Sequence, residues 1–108
     1  MEPACGALGS TFVLRRRELP DTPEGVRVVP SLKEGRPRGF RLFGITKGSL
    51  ADRAGLCNGD VIRFANGVDV STAEKGLAAW GRARQAKQVV LTVERRGLEG
   101  ELTIELRE

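Results

Sequence analysis

Short apolar runs separated by Gly, Pro, Asn and Asp pace this chain from end to end. Thr11-Phe12-Val13-Leu14 combines β-branched and aromatic residues, as a strand requires. Val26-Arg27-Val28-Val29 reads the same way, and Pro30, which cannot donate to a ladder, marks it as an edge strand. In the stretch Gly39 to Ile45, Phe40 and Leu42 fall on one face, and Arg41, Phe43 and Ile45 on the other. Apolar character on both faces places that strand inside a sheet. Val61–Ala65, Val68–Val70, Val89–Arg95 and Leu102–Leu106 are further strand-like runs. The breaks between them carry turn chemistry. Two prolines and a glycine make Pro20–Gly25 a loop, and Glu34–Pro37 reads as a hairpin connection. Asn58-Gly59-Asp60 is a tight turn, and Asn66-Gly67 has the signature of a two-residue type I′ hairpin.

Two segments switch to helical spacing. Ser49 caps a short helix, Leu50–Ala54, that ends at Gly55. Ser71-Thr72-Ala73-Glu74 has the form of a capping box and opens a longer helix running to Ala86. On it Ala73, Leu77, Trp80 and Arg84 share one stripe, and Gly76, Ala79, Ala83 and Ala86 the next. A row of small residues admits a close neighbour: the sheet itself, or a guest for which the helix is one wall of a groove. Trp80 has the same two readings, core anchor or groove wall, and its indole N–H favours a half-exposed position. The sum is an α+β domain of five to six short, mostly antiparallel strands in a small barrel-like sandwich with two helices. Residues 1–10 are expected as a frayed lead-in and residues 11–108 as a single domain.

Composition narrows the function classes. The chain has 108 residues, suiting one domain, and carries a formal charge of +4. Its arginines are scattered among acidic residues, and it holds one Trp, four Phe and no Tyr, so it lacks the basic face with stacking aromatics that nucleic acid requires. No apolar run approaches a bilayer span. Histidine is absent, which removes the commonest general base and metal ligand and any Ser-His-Asp or Cys-His arrangement. Asp52, Asp60 and Asp69 have turn or capping explanations and no metal-loop spacing. No catalytic residue, metal site or cofactor is expected. Cys5 and Cys57 form no CxxC and neither position demands a partner, so no disulfide is expected, and Cys57 reads as a small filler beside a turn.

The stretch GFRLFGITKGSLADRAGLCNGDVIRFANGVDV, followed by a helix and the strand VVLTVERRG, resembles the central motif of a PDZ domain. Upstream, VRVVPSLKEGRPRGFRLFGITKGSLADRAGL resembles the PDZ domain of the type II secretion inner-membrane protein C family, and TFVLRRREL its lead-in strand. The resemblance implies a permuted, bacterial-type PDZ fold with the first strand near the last. It implies a non-catalytic binding module in the periplasm, in a parent anchored in the inner membrane, that recruits exoproteins or contacts partner subunits. The alternative it allows is the regulatory PDZ module of a periplasmic trypsin-like or site-2 protease. The link Pro20–Gly25 is shorter than the family's helical segment, so the loop over the groove is expected to differ.

PDZ domains bind extended segments by strand addition beside a helix. Edge-strand and small-residue patterns point to the same walls: Val26 and Val28 on the strand, and Gly76, Trp80 and Ala83 on the helix. Arg84 near the helix end is either a carboxylate partner or a solvated charge, and Pro23-Glu24-Gly25 offers backbone N–H groups at the same end.

Overall fold

A computed structural model describes residues 5–20 and 24–108. The described residues form seven strands: β1 (Thr11–Arg15), β2 (Arg27–Lys33), β3 (Arg36–Phe43), β4 (Val61–Ala65), β5 (Val68–Asp69), β6 (Gln88–Arg95) and β7 (Leu98–Arg107). Two α-helices, α1 (Leu50–Arg53) and α2 (Ala73–Ala83), and a 3₁₀ turn at Arg16–Glu18 complete them. The sheet runs β1-β7-β6-β4-β3-β2, with β5 paired to β4. All its pairings are antiparallel except β1 with β7, the first strand lying parallel against the last. The order ends on two unjoined strands, so the expected barrel-like closure gives way to an open sheet, with one strand more than the upper expectation.

Turn chemistry sets the boundaries. Three two-residue hairpin turns place both residues at positive φ: Glu34-Gly35, Asn66-Gly67 and Arg96-Gly97. That geometry matches the right-handed twist of the strands it joins. Ser49 caps α1 by accepting from the Asp52 N–H, and Gly55 ends it at φ +82°. α2 begins one residue later than the capping-box pattern suggests. Thr72 is its N-cap, accepting from the Lys75 N–H. Ser71 is occupied elsewhere, donating its N–H and its hydroxyl to the Asp69 carboxylate. The helix also stops at Ala83 rather than Ala86. Arg16 donates to the Arg84 carbonyl there, so a side chain from the N-terminal turn satisfies one of the helix's last acceptors.

The core is built from Leu14, Leu42, Leu56, Val89, Val93 and Leu102 with their neighbours, drawn from both ends of the sheet. Of the segment read as a lead-in, residues 1–4 lie outside the described residues. Residues 5–10 are tied down: the Gly6 N–H donates to Gly55 and the Gly9 N–H to Glu101. Leu8 lies where a Cβ on Gly100 would be, which explains the glycine in the middle of β7. Against the expectation of no disulfide, Cys5 and Cys57 are bonded, because the N-terminal segment runs back to Gly55 and brings the two together.

An ion pair with a buried acid and a part-buried arginine stands beside that disulfide. Asp60 is 0% exposed, and Arg95 grips its carboxylate with two bonds of 2.9 Å. The same guanidinium donates to the carbonyls of Gly6 and Gly55, and the carboxylate accepts from the Cys57 N–H at 2.8 Å. Asp60 is therefore more than a turn residue. With Arg95 it locks the N-terminal segment, the end of α1 and β6 into one corner, and the buried carboxylate is compensated as burial demands.

Candidate functional site

β2 is an edge strand, and the bonds of its neighbour β3 fix which of its groups face outward. The Leu42 N–H donates to Asp60 and the Leu42 carbonyl accepts from Gly59, so both polar groups of Leu42 face β4. In an antiparallel ladder successive residues face opposite sides, so Arg41 and Phe43 face β2. Their partners Val29 and Arg27 face inward. Val28, opposite Leu42, and Pro30, opposite Phe40, turn their backbone groups outward. The Gly25 carbonyl accepts from Thr46, which continues the alternation and leaves Val26 facing out.

The strand does not stop at Pro30, as the sequence pattern suggests, but runs through it to Lys33. The parity explains why. The missing N–H falls on the outward side, where no ladder bond is lost.

α2 stands beside this edge across an apolar cavity of about 590 Å³. That lies within the range of small-molecule and side-chain pockets. All five residues expected to wall a groove, Val26, Val28, Gly76, Trp80 and Ala83, line this one space. It also reaches floor positions that the sequence pattern did not assign to it, among them the buried Leu42, Val89 and Ile104. Those residues look like ordinary core in the sequence. Only the stand-off of a helix faced with small residues converts them into a pocket floor. Among the described residues, the charged ones at its margin are Glu24 and Arg84, both near the loop end. Of the loop expected to offer backbone N–H groups, Glu24 and Gly25 are described, whereas Pro23 lies outside the described residues.

The helix's small residues act at specific contacts. A Cβ on Gly76 would sit 3.4 Å from the Phe40 ring, an ordinary van der Waals distance. Ala79 is buried, Trp80 is half-buried, and Leu77 stands 61% exposed at the rim. Val28 across the space is 45% exposed. An exposed β-edge beside an apolar trough suits an extended chain that pairs its backbone and sinks alternate side chains.

A family model described as PDZ domain matches residues 44–95. The chain belongs to the PDZ family. The PDZ match spans α1, the Asp60 turn, the Asn66-Gly67 hairpin, α2 and β6. Among solved structures, the PDZ domain of pullulanase C protein of the Klebsiella pneumoniae type II secretion system, in complex with fatty acid, has a TM-score of 0.57 at 27% identity. The match covers 75% of this chain and 84% of that one. The PDZ domain of EpsC from Vibrio cholerae shares the fold, with a TM-score of 0.58 at 24% identity over 74% of this chain and 76% of that one. The HtrA-type protease AlgW, solved with a tripeptide, has a TM-score of 0.59 at 27% identity, over 75% of this chain and 29% of the protease. A curated relative, a probable periplasmic serine endoprotease DegP-like protein of Hahella chejuensis, is 34% identical over 76 residues. This PDZ chain matches 70% of its own length there but only 16% of that relative.

As a PDZ domain the fold is itself non-catalytic. Among the described residues no cluster of His, Cys, Asp or Glu could hold a metal, and no helix is long and apolar enough to cross a membrane.

Proposed function

We propose that the slot between β2 and α2 holds an extended polypeptide segment. The observation that carries this is the outward-facing backbone of Val26 and Val28 beside the apolar cavity. A guest strand pairs with those groups, and its alternate side chains enter the space walled by Val26, Val28, Gly76, Trp80 and Ala83. The module serves a type II secretion inner-membrane component in the periplasm, recruiting exoproteins or contacting partner subunits. The structural likeness to the pullulanase C domain, over most of both chains, supports that setting. So does the Cys5–Cys57 disulfide, since such bonds persist in oxidising compartments. No nucleic acid or cofactor enters this reading, and this part of the parent makes no membrane contact.

The identity to the DegP-like relative favours a second reading, a regulatory module of a periplasmic protease. The two readings part on deletion of the domain from its parent. Loss of exoprotein secretion supports the first, and a change in the parent's proteolytic rate supports the second. Peptide capture itself is tested by NMR titration of the ¹⁵N-labelled chain with C-terminal and internal-strand peptides of secreted proteins. Shifts concentrated in residues 26–30 and 73–84 are expected. Decanoate should compete, because an acyl chain would occupy the same cavity. Saturable shifts confined to other faces would move the site.

A further inference from the structure

Resting on that slot reading, we infer that Pro30 is an end-stop, limiting the length of guest that can zip onto β2. Three independent features coincide there. Pro30 has an outward position but no N–H to offer. The β2–β3 register shifts between Ser31 and Leu32, a bulge of the kind that bends and twists an edge. The cavity is lined by Val26, Val28 and Pro30 but not by Leu32, so beyond Pro30 the guest has no trough for its side chains.

The consequence follows from antiparallel pairing. A guest residue opposite Val28 exchanges two bonds, and one opposite Val26 exchanges two more. The guest residue opposite Pro30 can donate to its carbonyl, but its own carbonyl finds no donor. Leu32 again faces outward by parity, past the gap and past the bulge. A guest is therefore read over roughly five residues, those facing positions 26 to 30. The three whose side chains face the cavity lie opposite Val26, Val28 and Pro30. Further length toward the guest's N-terminus adds no affinity. The same gap interrupts the donors that a second copy's strand would need along this edge.

The test is a twelve-residue random peptide library displayed on phage and selected on the immobilised 108-residue chain, in parallel with Pro30→Ala and Pro30→Val. With the parent chain, sequence preference should be confined to about five consecutive positions. Adding residues N-terminal to the enriched core should change Kd by less than twofold. Either variant restores one donor, so peptides crossing position 30 should bind roughly two- to tenfold tighter, the worth of one hydrogen bond. The length series on the parent alone keeps the inference testable if both variants misfold. A Kd that falls steadily with length on the parent, or identical footprints for parent and folded variants, overturns the end-stop while leaving the slot intact. No enrichment by any chain overturns the slot reading and the end-stop with it.

Discussion

Removing the Cys5–Cys57 disulfide should cost this domain a large part of its stability. The bond joins residues 52 apart in sequence. Freeing a loop of that length returns conformational entropy to the unfolded chain worth ~4 kcal/mol on the chain-entropy estimate. Total stability for a single domain is typically about 5–15 kcal/mol, so the loss is severe but survivable. The native side loses little. Gly6 still donates to Gly55 and still accepts from Arg95, and Leu8 still lies on Gly100. The effect should therefore act through the unfolded state, with the native fold preserved.

Urea unfolding of the oxidised chain, the reduced chain and the Cys5→Ser/Cys57→Ser variant measures this directly. The two latter should unfold at matching midpoints, ~2 M or more below the oxidised chain. Their slopes should be slightly steeper, because the unfolded chain is more expanded. At roughly 4 °C per kcal/mol, Tm should fall by about 16 °C. The double-serine variant should be indifferent to dithiothreitol. A parent chain whose midpoint stays put under complete reduction, verified by thiol titration, would refute the reasoning.

Asp60→Asn leaves the part-buried Arg95 guanidinium short of its counter-charge and should cost about 3 kcal/mol by chemical denaturation; a loss under about 1 kcal/mol would show that the corner is not held by that pair. Gly76→Ala adds a methyl at ordinary contact with Phe40 in a helix interior, so it should stabilise by about 0.5–1 kcal/mol, read as a rise in Tm. Asp69 is held below its ordinary carboxylate pKa by the Ser71 hydroxyl and N–H, with Lys75 adding a smaller share. A depressed folded value contributes stability that is complete above the unfolded value near pH 4 and is lost as pH falls through the folded one. Asp69→Asn should thus be less stable than the parent at neutral pH, with the gap closing on acidification below about pH 4 in a pH series of thermal melts.

The turn and strand pattern was legible because it rests on local chemistry. Asn66-Gly67 and the Ser49 cap act within a few residues, and both stand where the pattern puts them. What escaped depends on distant partners. Ser71 looks like a cap until Asp69 takes both its donors. Cys5 and Cys57 meet only because the N-terminal segment runs back over the α1 end, held there by Arg95. The walls of the cavity were readable as an edge strand and a helix faced with small residues. Its floor was not, because Leu42, Val89 and Ile104 carry no mark that separates a pocket floor from ordinary core.

The Asp60 corner and the slot are linked through one residue. The turn that ends in Asp60 presents the Gly59 N–H and the Asp60 carbonyl to Leu42 at 2.6 and 2.9 Å. Those two bonds commit Leu42 to β4, and that commitment gives its partner Val28 a free N–H and C=O. If the corner loosened and Leu42 slipped by one residue, the parity of β3 would invert. Val28 would then face a neighbouring strand's side, and its side chain would leave the trough, because a one-residue slip in a strand exchanges its two faces. The turn residues Asn58-Gly59-Asp60 thus do more than end one element and begin another. Through Leu42 they decide which backbone groups of β2 face outward, where the proposed guest would pair. Asp60→Asn should therefore weaken capture of the selected peptides at temperatures where the variant remains folded, although Asp60 does not line the cavity. Unchanged peptide affinity in a variant destabilised as expected would separate the two and confine the corner to a role in stability.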